Sequence, residues 1–258
     1  MTLQRLSGSV PVLALTLALP CISSGQTDKS PEWSVITIVQ IKPEFRAEYE
    51  GVQKEISAAY KKAGVQRLVG QTLLGDLEEY FSFTQLGKFA EMDGPTLLEK
   101  TIGAAASQQL LKRGGGYLVS AHRFTAMALN DISIQTPGDP GEYAQITTLE
   151  LAPGKGPEFA TFMKNDYLPA MRKADVANLY VSQVVFGGDP NERVMVRPMH
   201  KLAEIDAGPP TRKALGAEGA QLLVLKMSSM VRSVHYTISR IRLDLSNMAP
   251  PPNAKAGE

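Results

Sequence analysis

The chain has 258 residues, 27 of them basic and 26 acidic, with one cysteine and one tryptophan. Near-neutrality excludes the basic stripe that a nucleic-acid partner needs. A lone cysteine excludes an internal disulfide scaffold, so the fold must rest on apolar burial.

Residues 1–25 read as a secretory signal peptide. Arg5 is the only charge before Asp28, and Ser23 and Gly25 supply the small residues at −3 and −1 of a cut before Gln26. The apolar run 10–19 is shorter than the ~20 residues a membrane span needs. A first core helix, an uncleaved anchor and a lipoprotein signal at Cys21 are the competing readings. Pro20 stands where a lipobox needs a small residue. Cleavage removes Arg5 and Cys21 and leaves 26 basic against 26 acidic residues. The remaining length, roughly 230 residues, suffices for one or two hydrophobic cores. The expectation is a soluble protein, secreted or periplasmic, without membrane contact after cleavage.

After a polar lead-in, the run VITIVQI within 33–41 is apolar on both faces and predicts a strand buried from both sides. Pro43 ends it. Phe45, Tyr49, Val52, Ile56 and Tyr60 then recur at helical spacing, with Gly64 placed as a C-terminal cap. Segments 66–74 and 79–86 flank a short turn and predict a hairpin. A helix is expected over 96–112, stopped by Gly114, Gly115 and Gly116, and a long strand over 117–129. The turn-rich stretch 135–141 reads as a linker.

The same order then resumes. WSVITIVQIKPEFRAEY is answered by YAQITTLELAPGKGPEF, so that Trp33 falls on Tyr143 and Pro43 on Pro153. Ser120, Ala121, His122 return as Ser233, Val234, His235, and Asp131, Ile132, Ser133 as Asp244, Leu245, Ser246. The step grows from 110 at the first proline to 113 at the histidine. The second copy predicts a strand over 143–151, a helix over 157–173 that Pro169 kinks near Tyr167, a hairpin through Gly187 to Pro190, a helix over 210–226 and a strand over 230–245. The repeats are therefore placed at 33–134 and 142–246, with 247–258 read as a disordered tail.

A βαββαβ unit carries both helices on one face of a four-stranded antiparallel sheet and leaves the other face bare. Trp33, Thr37, Val39 and Ile41 point one way and Ile36, Ile38 and Gln40 the other, too much apolar surface to leave wet on either side. The second copy offers a cover within the same chain. The fold expected is α+β, two tandem ferredoxin-like βαββαβ units packed sheet to sheet.

The repeated unit, the strand–proline–helix opening and the Gly-Asp hairpin tip resemble the dimeric α/β-barrel superfamily, which includes antibiotic-biosynthesis-monooxygenase-like and NIPSNAP-like proteins. The resemblance covers nearly all of the chain after the leader and implies an intramolecular dimeric α/β barrel. Assembly into a homo-oligomer stays open. Oxygenases of the superfamily use polar and aromatic residues inside the barrel. No catalytic set carries over, because the first strand has no Asn and Trp33 stands at its beginning.

Candidate chemistry centres on the repeated histidines. Ser120, His122 and Phe124 share one strand face, and Ser233, His235, Thr237 and Ser239 the matching one. If these faces look between the sheets, His122 and His235 are candidate catalytic residues, and Gln40, Ser120, Glu150 and Ser233 candidate ligand-binding residues. Imidazoles there could bind an acidic ligand, shuttle a proton or ligate a metal. The competing reading is a structural histidine bonded to a neighbouring strand. His200 reads as a surface residue. No metal-ligand spacing is present, so no metal site and no cofactor are assigned. Ser120, His122 and Asp131 lack the G-x-S-x-G elbow of a hydrolase. Arg240 and Arg242 read as a solvated or ion-paired face, with an anion clamp as the sharper alternative. Glu91 and Asp93 match Glu204 and Asp206, paired carboxylates that could serve a cation or satisfy the backbone amides of a helix start. The chain thus reads as an exported, bacterial-type barrel that binds an unknown small molecule or partner. The alternative is a cofactor-independent monooxygenase-like or isomerase-like enzyme working between the sheets.

Overall fold

The computed structural model describes residues 31–136 and 141–248. The expected leader, 137–140 of the expected linker and 249–258 of the expected tail lie outside the described residues. The first repeat runs β1 (Trp33–Ile41), α1 (Arg46–Lys62), β2 (Arg67–Leu74), β3 (Glu79–Leu86), α2 (Leu97–Ile102), α3 (Ala104–Gly115) and β4 (Leu118–Ala128). The second runs β5 (Tyr143–Leu151), α4 (Gly156–Phe162), α5 (Leu168–Lys173), β6 (Tyr180–Phe186), β7 (Glu192–Met199), α6 (Ala203–Asp206), α7 (Pro210–Ser228) and β8 (Val231–Ile241).

The two sheets do more than face each other. They join edge to edge, β2 with β8 and β4 with β6, into a closed eight-stranded antiparallel barrel in the order β1-β3-β2-β8-β5-β7-β6-β4. Closure removes the free edges of two open sheets and buries both inner faces at once. Alternation along β1 sends Val39 and Ile41 outward onto α1, where they pack with Tyr49, Val69 and Tyr80. Ile36 and Ile38 turn inward, against Phe124, Ala126, Val184 and Val194. The second repeat's helices cover a larger apolar cluster centred on Leu149, Leu151, Phe159 and Met163.

Each repeat also sends its last turn into the other repeat's core. Ile132 and Ile134 join the second repeat's cluster, and Leu245 joins the first repeat's. Ser133 and Ser246 fasten these arms in the same way. Val181 N–H donates to Ser133 Oγ (3.0 Å) and Val69 N–H to Ser246 Oγ (2.9 Å), while the two hydroxyls donate to Leu129 O and Arg242 O. Asn247 is likewise tied to β2, its Oδ1 accepting from Arg67 N–H at 2.5 Å and its Nδ2 donating to Val65 O at 2.8 Å.

The expected helices need two adjustments. Both second helices break at matched glycines: α2 and α3 are separated by Gly103 (φ 85°), and α7 is kinked at Gly216 (φ 73°). Both angles lie in the left-handed region that glycine alone adopts without strain. The expected kink at Pro169 is present, since a π-helical turn at Met163–Tyr167 sits between α4 and α5. A widened turn absorbs the hydrogen bond that proline cannot donate. The last strand ends at Ile241, short of the expected 245, in a 3-10 turn at Leu243–Leu245.

Gly187 controls one seam of the barrel. Its φ is 85°, and a Cβ there would stand 2.6 Å from Arg123 O and 3.0 Å from Phe124 Cα, both backbone atoms of β4. Gly187→Ala is expected to cost about 2 kcal/mol, to be read as a lower urea midpoint. Protection of the β4 and β6 amides against hydrogen exchange should fall first. A variant as stable as the parent would mean that the seam does not depend on this approach.

Candidate functional site

β4 and β8 are each 11 residues long, but only their second halves close the barrel. β6 pairs with 125–128 of β4, and β2 with 238–241 of β8. The first halves, which carry Ser120, His122, Ser233 and His235, pair on one side only, with β1 and β5. All four residues are therefore exposed, at the end of the barrel where β1 and β5 finish and β3 and β7 begin.

His122 lies opposite Ile38, with its ring 5.6 Å from Phe124. His235 lies opposite Thr148. Among the described residues neither imidazole has a hydrogen-bond partner. Gln40 sits in register between Ser120 and Glu79, and Glu150 between Ser233 and Glu192. Glu150 is held from one side, where Ser233 Oγ donates at 3.2 Å and Arg232 Nη1 at 3.4 Å.

Glu192 of the second repeat stands within electrostatic reach of His122 of the first. Burial first, then the Asp189 carboxylate, pushes its carboxyl above the ordinary value; Glu150 adds to the rise and His122 opposes it. In register Glu192 lies beside Glu150, and Glu150 beside Ser233.

Glu79 and Glu192 are the mouth residues that sequence reasoning missed. Both end a repeated pattern, Gly75-Asp76-x-x-Glu79 and Gly188-Asp189-x-x-Glu192, of which only the Gly-Asp tip was noticed. The Asp fixes the turn, Glu79 N–H donating to Asp76 O (3.0 Å) and Glu192 N–H to Asp189 O (2.9 Å). The Glu then opens a strand, and alternation turns it into the mouth. Glu79 accepts from Thr72 Oγ1 at 2.9 Å.

Below the mouth the barrel is divided. The side nearest β4 is filled by Ile36, Ile38, Phe124, Ala126, Val184 and Val194. The side nearest β8 carries Thr72, Thr237 and Ser239, and the fully buried Ser239 hydroxyl has no partner among the described residues. An open groove of about 630 Å³ lies elsewhere, along α1 and the turn after β8, lined by Lys54, Ser57, Lys61 and Asp244. It holds no mouth residue. A smaller one of about 220 Å³ includes Arg232 and Ser233.

The remaining sequence candidates have other tasks. His200 is exposed, away from the mouth carboxylates. Glu204 accepts from the N–H groups of His200 and Lys201, which is the helix-start role expected of it. Trp33 packs edge-on against Phe89 at 5.0 Å. Among the described residues no group of His, Cys, Asp and Glu could hold a metal ion.

Solved structures with this arrangement settle the architecture. The fold is a dimeric α/β barrel contained in one chain. A proposed monooxygenase from Lactobacillus acidophilus NCFM superposes with a TM-score of 0.58 at 11% identity, covering 83% of this chain and 94% of that one. A second proposed monooxygenase, from Fusobacterium nucleatum, gives 0.59 at 10% identity over 82% and 93%. An anthrone oxidase-like protein gives 0.57 at 12% identity over 83% and 92%. Neither a protein-family model nor a curated protein matches the sequence.

Proposed function

We propose that this barrel is an exported protein that binds a small ligand at its mouth, between His122, Glu192, Glu150 and Ser233. The observation that carries this reading is the half-buried Glu192, in register with Glu150 beside Ser233 at the open end of the barrel and within electrostatic reach of His122. A carboxyl placed where burial and two neighbouring carboxylates oppose its charge costs stability, and such groups concentrate at functional sites. The mutual proximity of the Glu192, Asp189 and Glu150 carboxyls favours a ligand that donates hydrogen bonds, such as a small amine, over the acidic ligand the sequence suggested.

The test uses stability and binding together. The folded-state pKa of Glu192 is raised, so the charged form is the disfavoured one in the fold. Glu192→Gln is expected to raise the melting temperature near neutral pH, where the parent bears that cost. It should change nothing in acid below the ordinary carboxylate range, where both are neutral. His122→Gln with His235→Gln should fold normally, within about 2 °C of the parent. Both variants should lose the melting shift that a panel of small amines gives the parent. An undiminished shift in both, or a double-histidine variant that does not fold, sinks the site.

The names of the structural neighbours favour a second reading, a cofactor-independent monooxygenase-like enzyme between the sheets. The apolar filling near β4 leaves the side lined by Thr72, Thr237 and Ser239 as the place for it. Dioxygen consumption with phenolic substrates, abolished in His235→Gln, would separate it from simple binding.

A further inference from the structure

We infer that the outward face of α7 is a self-association surface on which two copies of this chain pair about a two-fold axis. The repeat supplies an internal control, because α3 and α7 occupy equivalent places and Leu110 and Leu223 are their matching buried residues. On α3 the outward positions after the break are Gln109 and Lys112; on α7 the same positions are Leu222 and Leu225, 61% and 57% exposed. The following strand divides its contrast, since Val119 on β4 is 65% exposed where β8 has Arg232. Tyr236 on β8 is 58% exposed, where β4 has Arg123, whose Nε donates to Thr37. One fold, used twice, exposes one large apolar side chain beyond the break on α3, Leu111, and three on α7, Leu222, Val224 and Leu225. A helix apolar on its outward side as well as its inward side needs a second cover.

Charge placement selects a second copy as that cover. Beyond Gly216 the helix runs 12 residues to Ser228, about 18 Å. That is too short to span a bilayer. Glu218 and Lys226 stand four residues before and after Leu222, on the same outward stripe. Two such helices laid antiparallel about an axis at Leu222 set each Glu218 against the other copy's Lys226, and Leu222 against itself. Lys226 already meets Asp166 at 2.7 Å and keeps donors to spare for a second carboxylate. A two-fold contact uses the same face on both copies, so the pairing closes at two and does not propagate.

Sedimentation equilibrium on the purified protein tests this. The parent is expected to be a dimer at about 100 μM. L222Q/L225K, which gives α7 the residues α3 carries, should be a monomer with an unchanged circular dichroism spectrum. Glu218→Lys, a fully solvated change that leaves the fold intact, should weaken the dimer about threefold to tenfold at low salt. That loss should shrink as salt is raised. A parent that stays monomeric, including one that floats with phosphatidylcholine vesicles, overturns the inference. So does a dimer that L222Q/L225K leaves intact.

Discussion

Leu245→Ala is expected to destabilise the protein by about 3 to 5 kcal/mol, the range for emptying a well-packed leucine site. Leu245 belongs to the second repeat by sequence but is fully buried in the first repeat's core, beside Ile41, Tyr49, Val69 and Tyr80. That cluster is much smaller than its counterpart, so few neighbours can move in to fill the space. The arm is also fixed by its backbone, Ser57 Oγ donating to Leu245 O at 2.5 Å while Arg67 Nη1 donates to the same hydroxyl at 2.9 Å. The control is Leu243, two residues earlier and 57% exposed, where alanine should cost less than about 0.5 kcal/mol. Urea unfolding of the two variants reads the difference directly. Equal effects would mean that the arm is not docked. The barrel is thus interlocked as well as paired edge to edge.

Periodicity reveals the elements of this fold because each strand and helix must present its apolar residues at its own repeat distance. The duplication then makes the two-sheet arrangement legible: a sheet apolar on both faces, repeated in one chain, needs its copy. What stayed hidden depends on contacts between distant residues. Nothing local in β4 or β8 says that pairing across the seam stops halfway, yet that stop exposes His122 and His235. The breaks at Gly103 and Gly216 were readable as a matched pair of glycines, but each sits in an otherwise good helical pattern, and only a positive φ distinguishes a break from a tolerated glycine. At the mouth, the matched histidines and Glu150 were found by repetition. Glu192 was passed over because a Glu starting a strand looks solvated until the opposite repeat is brought against it.

The second large effect is expected where Arg242 bridges the repeats. Its guanidinium grips Glu50 of α1 through Nη1–Oε1 (2.5 Å) and Nη2–Oε2 (2.8 Å), and also reaches Gln71 and Asp244. Tyr80 donates its hydroxyl to the same Glu50 at 2.7 Å. With side chains only 17% and 19% exposed, Arg242 and Glu50 sit at the rim of the core. Arg242→Ala should cost about 3 kcal/mol, the low end for breaking a buried pair. The Arg242 hydrogen bonds are the main cause holding the Glu50 carboxyl below its ordinary range, and they lower Asp244 as well. Both contributions are full above the unfolded carboxylate pKa of about 4 and are lost as pH falls through the depressed folded values. The gap between parent and Arg242→Ala should therefore be widest near neutrality and narrow in strong acid; a gap independent of pH would rule out the ion pair as its source. In the second repeat the Arg242–Glu50 pair is replaced by apolar residues, while the buried Arg193 stands where Tyr80 does, its Nη1 donating to Pro190 O and Glu192 O. Leu129 stands where Arg242 does and Ala160 where Glu50 does, both packed on the large apolar cluster. Glu50→Ala, Tyr80→Phe and Arg242→Leu together should accordingly recover most of what Arg242→Ala loses, because no buried polar group is left without a partner. A triple variant as unstable as Arg242→Ala would show that the first repeat's core cannot use the apolar solution its twin does.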